Sequence, residues 1–108
     1  MNNLPPPVAR YVAAANARDA QGVAAAFVPD GAVHDEGRLH RGRPAIAAWA
    51  LDAARQYDAT MAPRRLEPSQ DGCTLHAEVS GNFAGSPATL AFRFALRGDA
   101  IAALEIAP

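Results

Sequence analysis

CTLHAEVSGNFAGSPATLAFRFALR, residues 73–97 of the 108-residue chain, alternates apolar and polar side chains on both sides of a turn. In the first run Leu75, Ala77, Val79 and Phe83 share one face, and Thr74, His76, Glu78, Ser80 and Asn82 share the other. In the second run, Ala88 to Arg97, Leu90, Phe92, Phe94 and Leu96 lie opposite Thr89, Ala91, Arg93 and Ala95. A period of two is the mark of a strand with one face buried. Ala84-Gly85-Ser86-Pro87 supplies the turn that joins the two runs into an antiparallel hairpin. A sheet with one apolar face needs something to cover it.

Outward toward the C-terminus, the Gly98-Asp99 turn leads to a last strand, Ala100 to Ala107. Toward the N-terminus, Ser69-Gln70-Asp71-Gly72 is a turn, and Met61 to Pro68 reads as a strand that Pro63 and Pro68 confine to an edge or a bulge. The cover comes from the first half. Pro5, Pro6 and Pro7 sit at or before a first helical turn, where no N–H is needed. Val8, Tyr11, Val12 and Ala15 then recur at helical spacing. Asp19 is the expected N-cap of a second, short helix with Val23 and Phe27 facing inward, stopped by Pro29-Asp30-Gly31. A third helix is expected from Gly42-Arg43-Pro44, with Ile46, Trp49, Ala50, Ala53 and Tyr57 as its buried stripe and Asp52 and Arg55 in water. Between the last two helices, Ala32 to Arg41 reads as one or two short strands turning at Gly37. Helices first and strands after predict a single α+β domain over residues 1–108: three N-terminal helices on a curved antiparallel sheet, closing over an apolar pocket.

Composition narrows the function. The formal net charge is -1, which gives no electrostatic reason to expect nucleic acid or an anionic membrane. No run approaches the ~18 apolar residues of a membrane span, and the N-terminus lacks a secretory pattern, so the cytoplasm is expected. All ten basic side chains are arginines and a quarter of the chain is alanine, which we read as a GC-rich bacterial genome. Alanine also fills little volume, so a cavity is easier to keep open. The lone Cys73 falls in the strand pattern and is expected as a buried structural thiol.

Two side chains could carry chemistry. On the strand ending at Glu36, Asp35 points the same way as Val33, toward the interior. A carboxylate placed among apolar groups has a raised pKa and is a candidate general base. The alternative is a solvated carboxylate at a strand end. Tyr11 lies on the buried face of the first helix, so its hydroxyl must find an internal partner or reach the pocket. The alternative there is a core tyrosine bonded to backbone or water. His34, Glu36, His40 and His76 form no paired-ligand motif and are read as solvated surface groups. No metal or other cofactor is expected. The polar face with His76, Glu78 and Arg93 is read as a cross-strand ion-pair surface.

Arg10 to Asp19, then Gly22-Val23, Phe27, Asp30, Ala32-Val33, Asp35, Gly42, Ile46 and Trp49, resembles the opening of bacterial ketosteroid isomerase. That family sits with the SnoaL-like polyketide cyclases in the nuclear transport factor 2-like superfamily. The resemblance implies a cone-shaped fold and a homodimer packed through the polar sheet face. It matches Tyr11 to the tyrosine that donates to the substrate oxygen, and Asp35 to the aspartate that shuttles the proton, a recognised case of carboxylate tuning. It departs at Leu90, which stands where the isomerases place a second, aspartic acid donor two residues before a Phe-x-Phe element, here Phe92-Arg93-Phe94. Losing one such donor costs on the order of 100- to 1,000-fold in rate.

Two functions follow from these residues. One is an isomerase-like enzyme acting on a small apolar carbonyl compound, with Asp35 and Tyr11 catalytic and with Trp49, Leu75, Val79, Phe83, Leu90, Phe92 and Phe94 holding the substrate. The other is a non-catalytic dimeric binding module whose pocket is vestigial.

Overall fold

The computed structural model of the chain describes residues 3–108. Three helices, α1 (Pro6–Asn16), α2 (Ala20–Ala25) and α3 (Arg43–Tyr57), cover one face of a six-stranded sheet. The strands are β1 (Phe27–Asp35), β2 (Arg38–Arg41), β3 (Thr60–Ser69), β4 (Gly72–Ser80), β5 (Ala88–Arg97) and β6 (Ala100–Ala107), in spatial order β2-β1-β6-β5-β4-β3. This is the α+β cone architecture of the nuclear transport factor 2-like proteins. No helix of the described residues is long and apolar enough to cross a membrane.

All neighbouring strands are antiparallel except β1 and β6, which run parallel. The sheet is thus mostly antiparallel, as expected from sequence; the alternation that marks a strand is silent about its neighbours and could not reveal this one parallel pair. A second correction concerns Phe27. It opens β1 instead of closing α2, and pairs with Ile101 of β6. The helix ends at Ala25 because the next residues find a better place in the sheet: Ala26 and Phe27 are 1% and 0% exposed. Pro29-Asp30-Gly31 then forms an irregularity within β1, with the register to β6 shifting between Phe27 and Ala32. The Arg43 guanidinium caps the strand start, donating through Nε and Nη2 to the Phe27 carbonyl at 3.0 and 2.7 Å.

Local signals elsewhere act as the sequence predicts. Asp19 caps α2 by accepting from the Gly22 N–H at 2.9 Å. Gly42 and Pro44 open α3, and Asp58 in a left-handed conformation closes it. The β1–β2 hairpin turns on Glu36 and Gly37, both at positive φ. The strand with two prolines, β3, lies on an edge, and the other edge, β2, is four residues long. Gly72 is needed for a close approach, since a Cβ there would stand 1.9 Å from the Phe94 carbonyl oxygen.

The inner sheet face and the helices form one core around Val8, Phe27, Val33, Ile46, Leu75 and Leu104, all sealed from solvent. The outer face carries no helix. It carries the ion pairs Arg93–Glu105, Arg64–Glu78 and Arg65–Glu67 and a hydrogen bond between His76 and Glu67, set among alanines and threonines.

Candidate active site

The cavity exists because its walls are short of volume. Ala15, Ala50, Ala53, Ala54, Ala59 and Ala88 line a space of about 430 Å³ between the helices and the outer ends of β4 and β5. Tyr11 and Asp35 both open onto it.

Helix α1 delivers Tyr11 one turn after Val8, on its buried face. Three phenylalanines clamp the ring: Phe94 at 5.4 Å between centroids, Phe92 at 6.3 Å and Phe27 at 6.4 Å. Edge-on packing of this kind fixes an aromatic ring tightly. No hydrogen bond of the described residues involves the hydroxyl, and no buried side-chain oxygen or nitrogen is both sealed off and unpartnered. The phenol oxygen therefore faces the cavity, with a proton to offer. Burial, and next the Asp35 charge, push its pKa far above the ordinary value, so it donates without ionising.

Asp35 is the last residue of β1, half-buried, on the same inward side as Val33. Its Oδ2 accepts from the Trp49 indole Nε1 at 3.0 Å. Burial raises its pKa above the usual carboxylate value, and Glu36 adds to the rise. The Trp49 hydrogen bond, His40 and the Glu36 backbone work the other way. The carboxyl is thus neither water-bathed nor locked in an ion pair. Such a group can both take and return a proton.

The expected substrate contacts divide. Trp49, Val79, Phe83, Leu90 and Phe92 line the cavity. Leu75 and Phe94 do not; they are 0% and 2% exposed and belong to the filled core. The sheet face is longer than the cavity, which occupies only its end nearest the β4–β5 loop. Phe94 instead supports Tyr11 from behind. Phe83 reaches the cavity from that loop and not from β4, which stops at Ser80. At Gly81 a Cβ would stand 2.6 Å from the Tyr57 carbonyl, and the Asn82 N–H bonds that carbonyl at 2.7 Å, so the chain turns there.

Sequence reasoning missed four contacts. Trp49 holds the acid as well as lining the wall. His40, expected in solvent, is half-buried with its ring 6.1 Å from that of Trp49, because it pairs with Val33 and faces inward. At the mouth, Tyr57 donates to Glu36 Oε1 at 2.6 Å while its ring meets Phe83 edge-on. Asn16 bonds both backbone groups of Met61, at 3.0 and 2.9 Å. The only signal for the first two was that Trp49 and His40 each fall on an inward face.

The architecture is a helix-covered sheet with a carboxyl and a phenol lining an apolar cavity. The chain belongs to the SnoaL-like domain family, whose profile matches residues 8–104. Among solved structures, a Sinorhizobium meliloti protein bearing a provisional polyketide cyclase name is 36% identical with a TM-score of 0.91, over 96% of this chain and 95% of that one. A Sphaerobacter thermophilus protein is 33% identical, with a TM-score of 0.76 over 93% and 90% of the two chains. A Catenulispora acidiphila protein of ketosteroid isomerase-like fold, solved with trimethylamine, is 20% identical with a TM-score of 0.86 over 98% and 87%. No curated protein matches the sequence.

Proposed function

We propose that this domain is an isomerase-like enzyme that moves a proton next to the carbonyl of a small, apolar compound. Asp35 removes the α-proton and returns it to another carbon of the same molecule, while Tyr11 donates to the oxygen as enolate charge develops. The apolar body rests against Val79, Leu90, Phe92 and Phe83. The observation that carries this reading is one cavity lined by both a partly buried carboxyl and a phenol with no hydrogen-bond partner among the described residues. A preorganised donor facing developing charge acts strongly in a site that excludes water. The same apolar wall and short polar list suit a polyketide cyclase-like reaction, which also proceeds through an enolate. We place the protein in a bacterial cytoplasm, as a homodimer joined through the outer sheet face.

The test is proton exchange on a panel of enones and ketosteroids. Asp35→Asn is expected to abolish exchange, and Tyr11→Phe to slow it by roughly 100- to 1,000-fold. Equal rates in wild type and Asp35→Asn would end the enzyme reading. Leu90 favours the second reading, a binding module without turnover, because it gives the cavity wall an apolar side chain where the resembled isomerases have a second donor. In that case the same compounds bind, and none exchanges.

A further inference from the structure

Asp35 is held from two directions. It is the last residue of β1, and Glu36 and Gly37 behind it turn the chain at φ 53° and 74°. The Glu36 backbone N–H bonds the carboxyl locally. The second hold comes from α3. Trp49 Nε1 reaches Oδ2 at 3.0 Å, and an indole N–H only donates, so that position can hold only an acceptor. The indole has no proton to exchange in the working pH range and does not compete with the acid. Beside the indole stands the His40 ring, 6.1 Å away between centroids and tilted 35°, carried on β2 opposite Val33.

We infer that Trp49 is the positioning residue for Asp35, and that His40 is the buttress that holds the Trp49 indole in place. This rests on the reading of Asp35 as the general base. Three elements, β1, β2 and α3, thereby contribute to one carboxylate orientation. The charged or titratable groups that face Asp35 are Glu36 beside it, His40 from β2, Tyr11 from α1 and Tyr57 from α3; Arg38 is its partner in strand register. Among the influences opposing burial, the Trp49 hydrogen bond is the largest. Without it, Asp35 keeps its proton to higher pH and the carboxyl has only the local hold.

The experiment titrates the Asp35 carboxyl by carbon NMR in wild type, Trp49→Phe and His40→Leu. Both variants should move the Asp35 midpoint to higher pH. On a carbonyl compound that wild type turns over, Trp49→Phe should lose on the order of 100-fold in kcat with a much smaller change in KM. The acidic limb of its pH–rate profile should move in the alkaline direction. A variant that melts earlier but titrates like wild type overturns the inference, as does a midpoint that falls.

Should Trp49→Phe not fold, the wild type supplies the measurement, because Trp49 is the only tryptophan. Its emission should change as Asp35 ionises. That step should vanish in Asp35→Asn and persist in His40→Leu, which removes any step due to the imidazole. Flat emission through the Asp35 titration overturns the inference. The titrations need no turnover: a wild type that exchanges no carbonyl substrate ends the general-base reading, while an unmoved midpoint ends this one.

Discussion

Asp35 sits where its two obligations conflict. Burial pushes its pKa up, so the folded protein binds this proton more tightly than the unfolded chain does. Its contribution to stability is therefore present at acid pH and is lost as the pH rises through the raised value. At neutral pH the ionised side chain is a liability to the fold. Asp35→Asn, which keeps the shape and an acceptor for Trp49, should be more resistant to urea than wild type at pH 7. That advantage should shrink as the pH approaches the ordinary carboxylate range, and paired denaturation curves at the two pH values measure it. An unchanged difference would mean that Asp35 is as well solvated folded as unfolded. A residue that destabilises its own fold is a common property of functional sites.

At the scale of elements, β5 and β6 could be read to the residue, because alternation over eight to ten residues leaves one way to bury leucine and phenylalanine, whereas β4 stops at Ser80, short of the Phe83 its alternation suggested. Helix α3 was equally plain from Pro44 and its stripe. Phe27 was misread because an apolar residue after a short helical pattern fits either period, and only the partner strand β6 decides. The cavity followed from alanine content in kind but not in place. Leu75 and Phe94 carry the same alternation as Val79 and Phe92, and nothing local says which half of a sheet face remains open. Asn16 was invisible for another reason: its role lies wholly in β3. Its side-chain amide donates to the Met61 carbonyl and accepts from the Met61 N–H, as a neighbouring strand would. Asn16→Ala leaves both groups without that partner and should cost about 2 kcal/mol. Urea unfolding measures the loss, and hydrogen exchange at the Met61 amide should accelerate with it. A variant as stable as wild type would mean that water replaces the contact fully.

For the whole molecule, the uncovered outer face is where the proposed homodimer would join, and the pattern of its charges fits that role. Arginine and glutamate alternate across neighbouring strands, Arg93 with Glu105 and Arg64 with Glu78, around small residues such as Ala91 and Ala95. The homodimer proposed above would set this alternation against a second copy of itself, as an isologous interface does. Sedimentation should give a dimer at micromolar concentration. Arg93→Glu, which places two acids face to face, should shift it to monomer by at least tenfold in Kd. A wild-type monomer would refute the pairing.

The rims of the sheet add a constraint of their own. At one rim the Met61 amide is already taken and Pro63 has none to give, while the other rim is only four residues long. A passing extended peptide finds little to zip onto at either side. Sideways ribbons of this chain, the arrangement that has no natural end, are thus disfavoured at both rims, which leaves the proposed back-to-back couple free of that competitor.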